Sequence, residues 1–467
     1  MRNKVKVAPI AAGLLAATAA LAAPRLAAAQ DAGTQDAGTQ EAGTSTPLCS
    51  TLTNPVFISG SSASKPVLVA LAATLGANVS IIYQSPDSCL GVQDMLLAQP
   101  STETAAGSPT YLNPNGTTST CTLDTSNPQP IDIAVSDVFP ATCANNFSLT
   151  IPSTVVEVQG PIQAMTIAVP AASNQSSISA QAAYVVFGAD ATTYTVAPWS
   201  VPASIFVRAE TSGTLNMIGA AIGLGPGLWV NASTSGSPPA QQQGATGKMA
   251  GAVAQATSNI DATIGILSAE AVAGWNAAPA DATDQLKILA FQANDQSCGY
   301  LPDSSSTALD KINVRQGRYA IWGPLHFLTK TTGGQPTGPD AAAIATVLNY
   351  FIATGSLQTG SVGSPAPFTG AIAGDAGASV TTAQMQALIA AEAKPGYVVP
   401  WCAMEAQRTS EVGAESSYSS TEPCQCFYET TMGATVPGSN CSTRTCTTSS
   451  TCTAPYTTCR YGYCEVQ

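Results

Sequence analysis

Charge is what this chain of 467 residues has least of: 9% of it is Asp, Glu, Lys or Arg, where ordinary soluble domains carry about 25%. Its 16 Lys and Arg face 28 acids, for a net charge of −12. That balance excludes the basic footprint needed for nucleic acid or an anionic lipid surface. Histidine is reduced to one residue, His326. A His-built metal centre is thereby excluded, no Asp–His–Ser arrangement is readable, and the expected role of His326 is structural. Long apolar runs are also missing after residue 29, which excludes a membrane span in the mature chain. Trp199, Trp229, Trp275, Trp322 and Trp401 are expected to pack in the core or along its edge rather than form a sugar platform.

Cysteine and small residues are plentiful. The chain is 45% hydrophobic, and with so little charge its surface must be Ser, Thr, Ala, Gly and Gln, as is common in exported proteins. Residues 1–29 read as a signal peptide, with Arg2, Lys4 and Lys6 ahead of an apolar core at Ala8–Ala23 and small residues at Ala27–Ala29. The expected location is therefore exported: periplasm, cell surface or extracellular. Removing those residues takes away four cations and no acid, so the remainder is more acidic still. Thirteen cysteines in such a chain imply disulfides, with one left over. Spacing leaves the pairing open, although Cys121 with Cys143 would close a local loop. Zinc at Cys424-Gln-Cys426 is the weaker reading, given one histidine and an oxidising destination.

Residues 30–53 begin with Asp31-Ala-Gly-Thr-Gln, repeated from Asp36 and again, starting with Glu, from Glu41. Such a polar repeat buries no core and reads as a low-complexity linker. Strand-like runs at Val56–Ser59, Val79–Tyr83 and Ile131–Val135 then alternate with helix-like runs at Pro66–Leu75 and Val92–Ala98, the pattern of an α/β sheet with flanking helices. A second series holds strands at Met165–Val169, Ile205–Arg208 and Ile264–Leu267, and a helix at Thr214–Leu224. Helical segments follow at Asp340–Thr354 and Thr382–Ala393. Residues 403–467 are rich in Thr, Ser and Cys and read as a small disulfide module. Arg315 and Arg318 are expected to be solvated.

Four turns carry the chemistry. Ser59-Gly-Ser-Ser-Ala-Ser-Lys-Pro66 and Tyr83-Gln-Ser-Pro-Asp-Ser-Cys-Leu-Gly-Val92 each join a strand to a helix. Ile133-Ala-Val-Ser-Asp137 ends a strand on a carboxylate, and Val207-Arg-Ala-Glu-Thr-Ser-Gly-Thr214 opens another helix. A helix entered through Ser212-Gly213-Thr214 presents unpaired N–H groups, hydroxyls and a positive dipole end, while Arg208 adds a planar fork of donors. These residue types suit a small oxyanion taken out of water.

In order and spacing the four turns resemble the phosphate-binding periplasmic proteins of ABC importers. In that family they read Gly-Ala-Gly-Ala-Thr-Phe-Pro, Tyr-Gln-Gly-Ile-Gly-Ser-Ser-Gly-Gly, Gly-Ala-Ser-Asp and Arg-Ala-Asp-Gly-Ser-Gly-Thr. The resemblance covers roughly residues 54–330. It implies a two-lobed periplasmic-binding-protein-like (type II) α/β fold over 54–402, followed by the disulfide-rich tail. Lobe one would be about 54–158 and 312–400, and lobe two about 159–311. It implies inorganic phosphate or a similar small oxyanion as ligand, held by Ser64, the backbone of Lys65, Ser88, Asp137, Arg208, Ser212, Gly213 and Thr214, with Glu210 steadying Arg208. An ABC permease is the implied partner; no metal, cofactor or catalysis is. Asp137 would accept a hydrogen bond from protonated phosphate and face ionised sulfate as a like charge. The chain departs from the family at Ser85-Pro86-Asp87, which brings an extra carboxylate, and at Lys65, a phenylalanine in the family. The competing reading is a surface structural or adhesive protein that uses the same fold and tail for interactions.

Overall fold

The computed structural model describes residues 46–97, 109–188, 193–231, 241–279, 284–355, 368–369, 386–387, 389–390, 393, 398–420, 423–433 and 441–466. The expected signal peptide, the repeat and most of the helix expected at Thr382–Ala393 lie outside these residues. Folded structure starts ahead of residue 54, because Leu48 bridges Thr122 and Cys49 is disulfide-bonded to Cys121.

Apolar β-branched runs make the first strands, β1 (Pro55–Gly60) and β2 (Ser80–Gln84), which pair in parallel. Both are buried almost throughout, as parallel strands covered on two faces must be. Short strands β3 (Thr110–Leu112) and β4 (Thr118–Thr120) extend this edge, and β5 (Ile133–Ser136) lies parallel to β1 on its other side. Then comes β6 (Val155–Pro170), a strand of 16 residues. Next in chain order are β7 (Ser177–Ser179), β8 (Ile205–Phe206), β9 (Ile264–Ser268), β10 (Leu286–Ile288), β11 (Ala290–Gln292) and β12 (Trp322–Thr332). The main sheet runs β4-β3-β2-β1-β5-β12-β6-β9-β8, and β10 pairs with β6.

Two strands hold the sheet together. From Val155 to Ala164, β6 pairs antiparallel with β12, and from Met165 onward it pairs with β9 and β10. The boundary expected at 158/159 thus falls inside a continuous strand. At Gly160 of β6 a side chain would meet the Phe327 ring, which stacks on Phe351 at 4.0 Å. Here glycine is required by close approach.

Helices cover the sheet: α1 (Lys65–Leu75), α2 (Ser88–Leu96), α3 (Pro140–Asn146), α4 (Ala180–Phe187), α5 (Gly213–Ile222), α6 (Thr246–Ala254), α7 (Ala269–Ala277), α8 (Ile312–Arg315) and α9 (Ala341–Gly355). Pro66 opens α1, and left-handed Gly223 (φ 76°) closes α5. One core gathers Val56, Ile58, Leu68, Ile81, Leu348 and Phe351 around β1 and β2. A larger one gathers Ile167, Phe187, Leu215, Ile218, Met249 and Ile266 around the far end of β6. The expected α/β class and disulfide-rich C-terminal region are both present.

The C-terminal region corrects three expectations. Trp401, Ala403, Met404, Tyr418, Cys424 and Tyr428 belong to the larger core, so residues 403–432 are packed into the body rather than forming a separate module. Arg315 is buried, not solvated: its NH1 reaches Glu429 Oε1 at 2.7 Å and its Nε donates to Ala403 O at 2.9 Å. Cys121 and Cys143 do not pair with each other. The disulfides are Cys49–Cys121, Cys89–Cys143, Cys402–Cys424, Cys426–Cys441, Cys446–Cys459 and Cys452–Cys464, with Cys298 free and exposed. Among the described residues no helix is long and apolar enough to cross a membrane.

Candidate functional site

Parallel strands deliver their C-terminal ends, and the turns that follow them, to the same edge of a sheet, where ligands of open α/β folds are found. Here β1, β2 and β5 bring three turns together. Gly60 (φ 142°) lies against the Val135 carbonyl, where a Cβ would collide, and Ser61 N donates to that carbonyl at 2.9 Å. Ser61 is thereby placed beside Asp137, to whose Oδ1 its hydroxyl donates at 2.5 Å. Ser88, the first residue of α2, donates to Asp137 Oδ2 at 3.1 Å. The Cys89–Cys143 disulfide ties that helix to α3.

The fourth turn arrives from the other part of the sheet. Gly213 begins α5 so close to the second and third turns that a Cβ on it would land on Ser88 Oγ and 2.8 Å from Asp137 Oδ2. Cys89 N donates to Thr211 O at 3.0 Å, and Ser62 and Thr246 share a hydroxyl contact at 2.9 Å. Asp137 therefore lies where the starts of α2 and α5 meet the turn into α1. Burial raises the Asp137 carboxyl above its ordinary range, while hydrogen bonds from Ser61 and Ser88 and the charge of Arg208 offset part of that rise.

Arg208 is buried, 3% exposed. Its NH2 meets Asp87 Oδ1 at 2.8 Å and its NH1 donates to Thr246 Oγ1 at 3.2 Å. Thr211 Oγ1 completes the arrangement by donating to Asp87 Oδ2 at 2.9 Å. Burial raises Asp87 too, against the opposing pull of Arg208 and Thr211. The carboxylate that steadies Arg208 is thus Asp87 from the second turn. Glu210, expected in that role, is partly exposed, and its backbone carbonyl accepts from Asn216 Nδ2 at 2.7 Å.

Of the other residues singled out from the sequence, Ser64, Ser212 and Thr214 are buried at the same edge. Ser64 Oγ donates to Ser61 O at 2.8 Å, so it shapes the turn, while Ser61 is the hydroxyl on Asp137. Lys65 is the first residue of α1 and is partly exposed. Sequence reasoning missed Ser61, Thr211 and Thr246. Ser61 and Thr211 stand inside motifs already quoted, and only three-dimensional register decides which hydroxyl is used. Thr246 stands in no motif; tertiary packing alone brings it to Arg208 and Ser62.

No protein-family model matches the chain, and neither does any curated protein. Solved structures do match. An ABC-type phosphate transport receptor from Vibrio cholerae is 13% identical, with 63% of this chain and 93% of that chain covered, at a TM-score of 0.36. The periplasmic phosphate-binding protein PfluDING, solved with phosphate, is 15% identical, with 63% and 84% covered, at 0.39. The reduced OxyR regulatory domain from Pseudomonas aeruginosa is 9% identical, with 63% and 94% covered, at 0.33. A transport receptor and a regulatory domain score alike, so these likenesses do not choose a ligand.

Proposed function

We propose that this chain is an exported, two-lobed solute-binding protein whose ligand is a small protonated oxyanion, inorganic phosphate first, and that it carries out no covalent step. The observation that carries the reading is the meeting of the α2 and α5 N-termini and the turn into α1 at one buried acid, Asp137, with buried Arg208 alongside. Helix N-termini and hydroxyls hold an anion in a protein of acidic net charge, because local dipoles act where the overall field repels. Ser64, Ser88, Ser212, Gly213 and Thr214 with the Lys65 backbone would donate, Arg208 would supply the counter-charge, and Asp137 would accept the proton that phosphate retains. Asp87 would keep Arg208 oriented. Delivery to an ABC permease is the corresponding cellular role.

Isothermal titration with phosphate and then sulfate tests this. Phosphate should bind more tightly by roughly fivefold to 150-fold, the worth of about 1–3 kcal/mol for one buried unpaired acceptor. Asp137→Asn should erase most of that preference. No heat with phosphate would sink the reading. One observation favours the structural or adhesive alternative: Asp87 and Thr246 already engage both terminal nitrogens of Arg208, leaving the turns held by protein groups alone. On that alternative neither ion binds at millimolar concentration.

A further inference from the structure

A second acid stands at the same edge. Glu270, in the first turn of α7, is 6% exposed. Its Oε1 receives one long hydrogen bond, 3.4 Å, from Gln163 Nε2, while the Ser268 hydroxyl and the Glu270 backbone N–H lie near the carboxyl and favour its ionised form without closing a hydrogen bond to Oε2 among the described residues. Gln163 is itself buried on β6, where its Nε2 also donates to Ala63 O at 3.1 Å. Ala63 lies in the turn that carries Ser61 and Ser64, and the neighbouring Ser62 contacts Thr246, the partner of Arg208. Four buried polar atoms around this turn lack a hydrogen-bond partner among the described residues: Glu270 Oε2, the neighbouring Ser268 Oγ, Gln163 Oε1 and Arg208 Nε. Native interiors satisfy nearly all such atoms, so a cluster of them next to a ligand-type turn marks groups built to meet something else.

The charges around Glu270 show which form it takes. The Asp137 carboxylate opposes its ionisation and Lys311 favours it. Lys311 is itself committed to Asp303 at 2.8 Å. From β10, Lys287 donates to Ser173 O; from α6, Lys248 is exposed; and β9 and β6 present the neutral Ser268 and Gln163. With no cation of its own, Glu270 is held neutral mainly by burial, its carboxyl pushed up to about 8. A neutral carboxyl is a hydrogen-bond donor; an ionised one is only an acceptor.

Resting on the phosphate-type reading above, we propose that Glu270, backed by Gln163, is a second acid of the seat that donates a hydrogen bond to the bound oxyanion while protonated and repels it once ionised. Asp137 and Glu270 would then do opposite work. One accepts the ligand's proton, and the other donates to an oxygen that carries none. Glu270 thereby sets an alkaline limit to binding that the ligand's own ionisation does not impose.

The test is titration of inorganic phosphate into the full chain and into Glu270→Gln at pH about 6 and about 9, taking the ratio of the two dissociation constants at each pH. The ligand's ionisation cancels in that ratio. Glutamine keeps the shape and a donor, so the two proteins should bind within a few-fold at the lower pH. At the higher pH the variant should bind tighter than the wild type by about tenfold or more. A ratio that does not move with pH, in a wild type that binds phosphate, overturns the role of Glu270 and leaves the phosphate reading standing. A wild type that fails to bind phosphate at the lower pH overturns both. Should the variant not fold, 13C-carboxyl NMR of the wild type decides: phosphate should raise the Glu270 titration midpoint, and an unmoved midpoint refutes the role.

Discussion

One carboxylate, Asp137, organises the site at the scale of single residues: two serine hydroxyls donate to it and a glycine backbone lies against it. Gly213 tolerates no side chain because two other turns occupy the space. The neighbouring acid, Glu270, has a measurable signature even without ligand. Its folded carboxyl titrates near 8, above its ordinary 4.5, so the folded state holds a proton that the unfolded chain has already released. Stability is then fully present below pH about 4.5 and falls by roughly 1.4 kcal/mol per pH unit toward about 8, where it levels off. Glu270→Gln should flatten that part of the profile, raising stability at neutral pH and leaving it unchanged near pH about 4. Thermal unfolding across pH checks this, and an unaltered slope would refute it.

At the scale of elements, the site depends on β6 and β12, which run side by side between the two parts of the sheet. Much of what braces them comes from the C-terminal region. Val399 bridges Ile162 of β6, Arg408 lies over the Trp322 ring at 3.9 Å, and Glu411 accepts from Phe139 N at 2.5 Å and from Thr142 Oγ1 at 3.0 Å at the start of α3. The buried Arg315–Glu429 pair fixes α8 to the helix Gln425–Thr431. Removing one member leaves the other charge buried and uncompensated, at a cost of about 3–5 kcal/mol. Glu429→Ala should therefore be strongly destabilised in thermal melts. A shift within about 0.5 kcal/mol of wild type, as for an ordinary surface change, would contradict this picture.

For the whole molecule, one continuous larger core makes the C-terminal region part of the body, and four of the six disulfides close loops within that region. Cys402–Cys424 is the covalent link between the start of that region and the helix packed against α8. It closes a loop with a sequence separation of 22, for which chain-entropy reasoning gives about 3 kcal/mol. Replacing both cysteines by serine should lower the melting temperature of the entire chain in a single transition. If the C-terminal region were an independent module, calorimetry would instead resolve two transitions, with the larger one unshifted.

Composition and local pattern alone settled the α/β alternation, the positions of the strand–turn–helix motifs and the disulfide-rich end. Each of these follows from short-range physics: apolar period, turn glycines, helix entry through Ser-Gly-Thr. Tertiary structure decided the pairings. It put Asp87 rather than Glu210 on Arg208, Ser61 rather than Ser64 on Asp137, and Cys49 and Cys89 on Cys121 and Cys143. It also buried Arg315 and brought Gln163, with Glu270 behind it, against the turn that carries Ser61, from segments with no motif at all. Partners distant in sequence are chosen by which strands lie side by side and in what register, and that is a property of the assembled sheet.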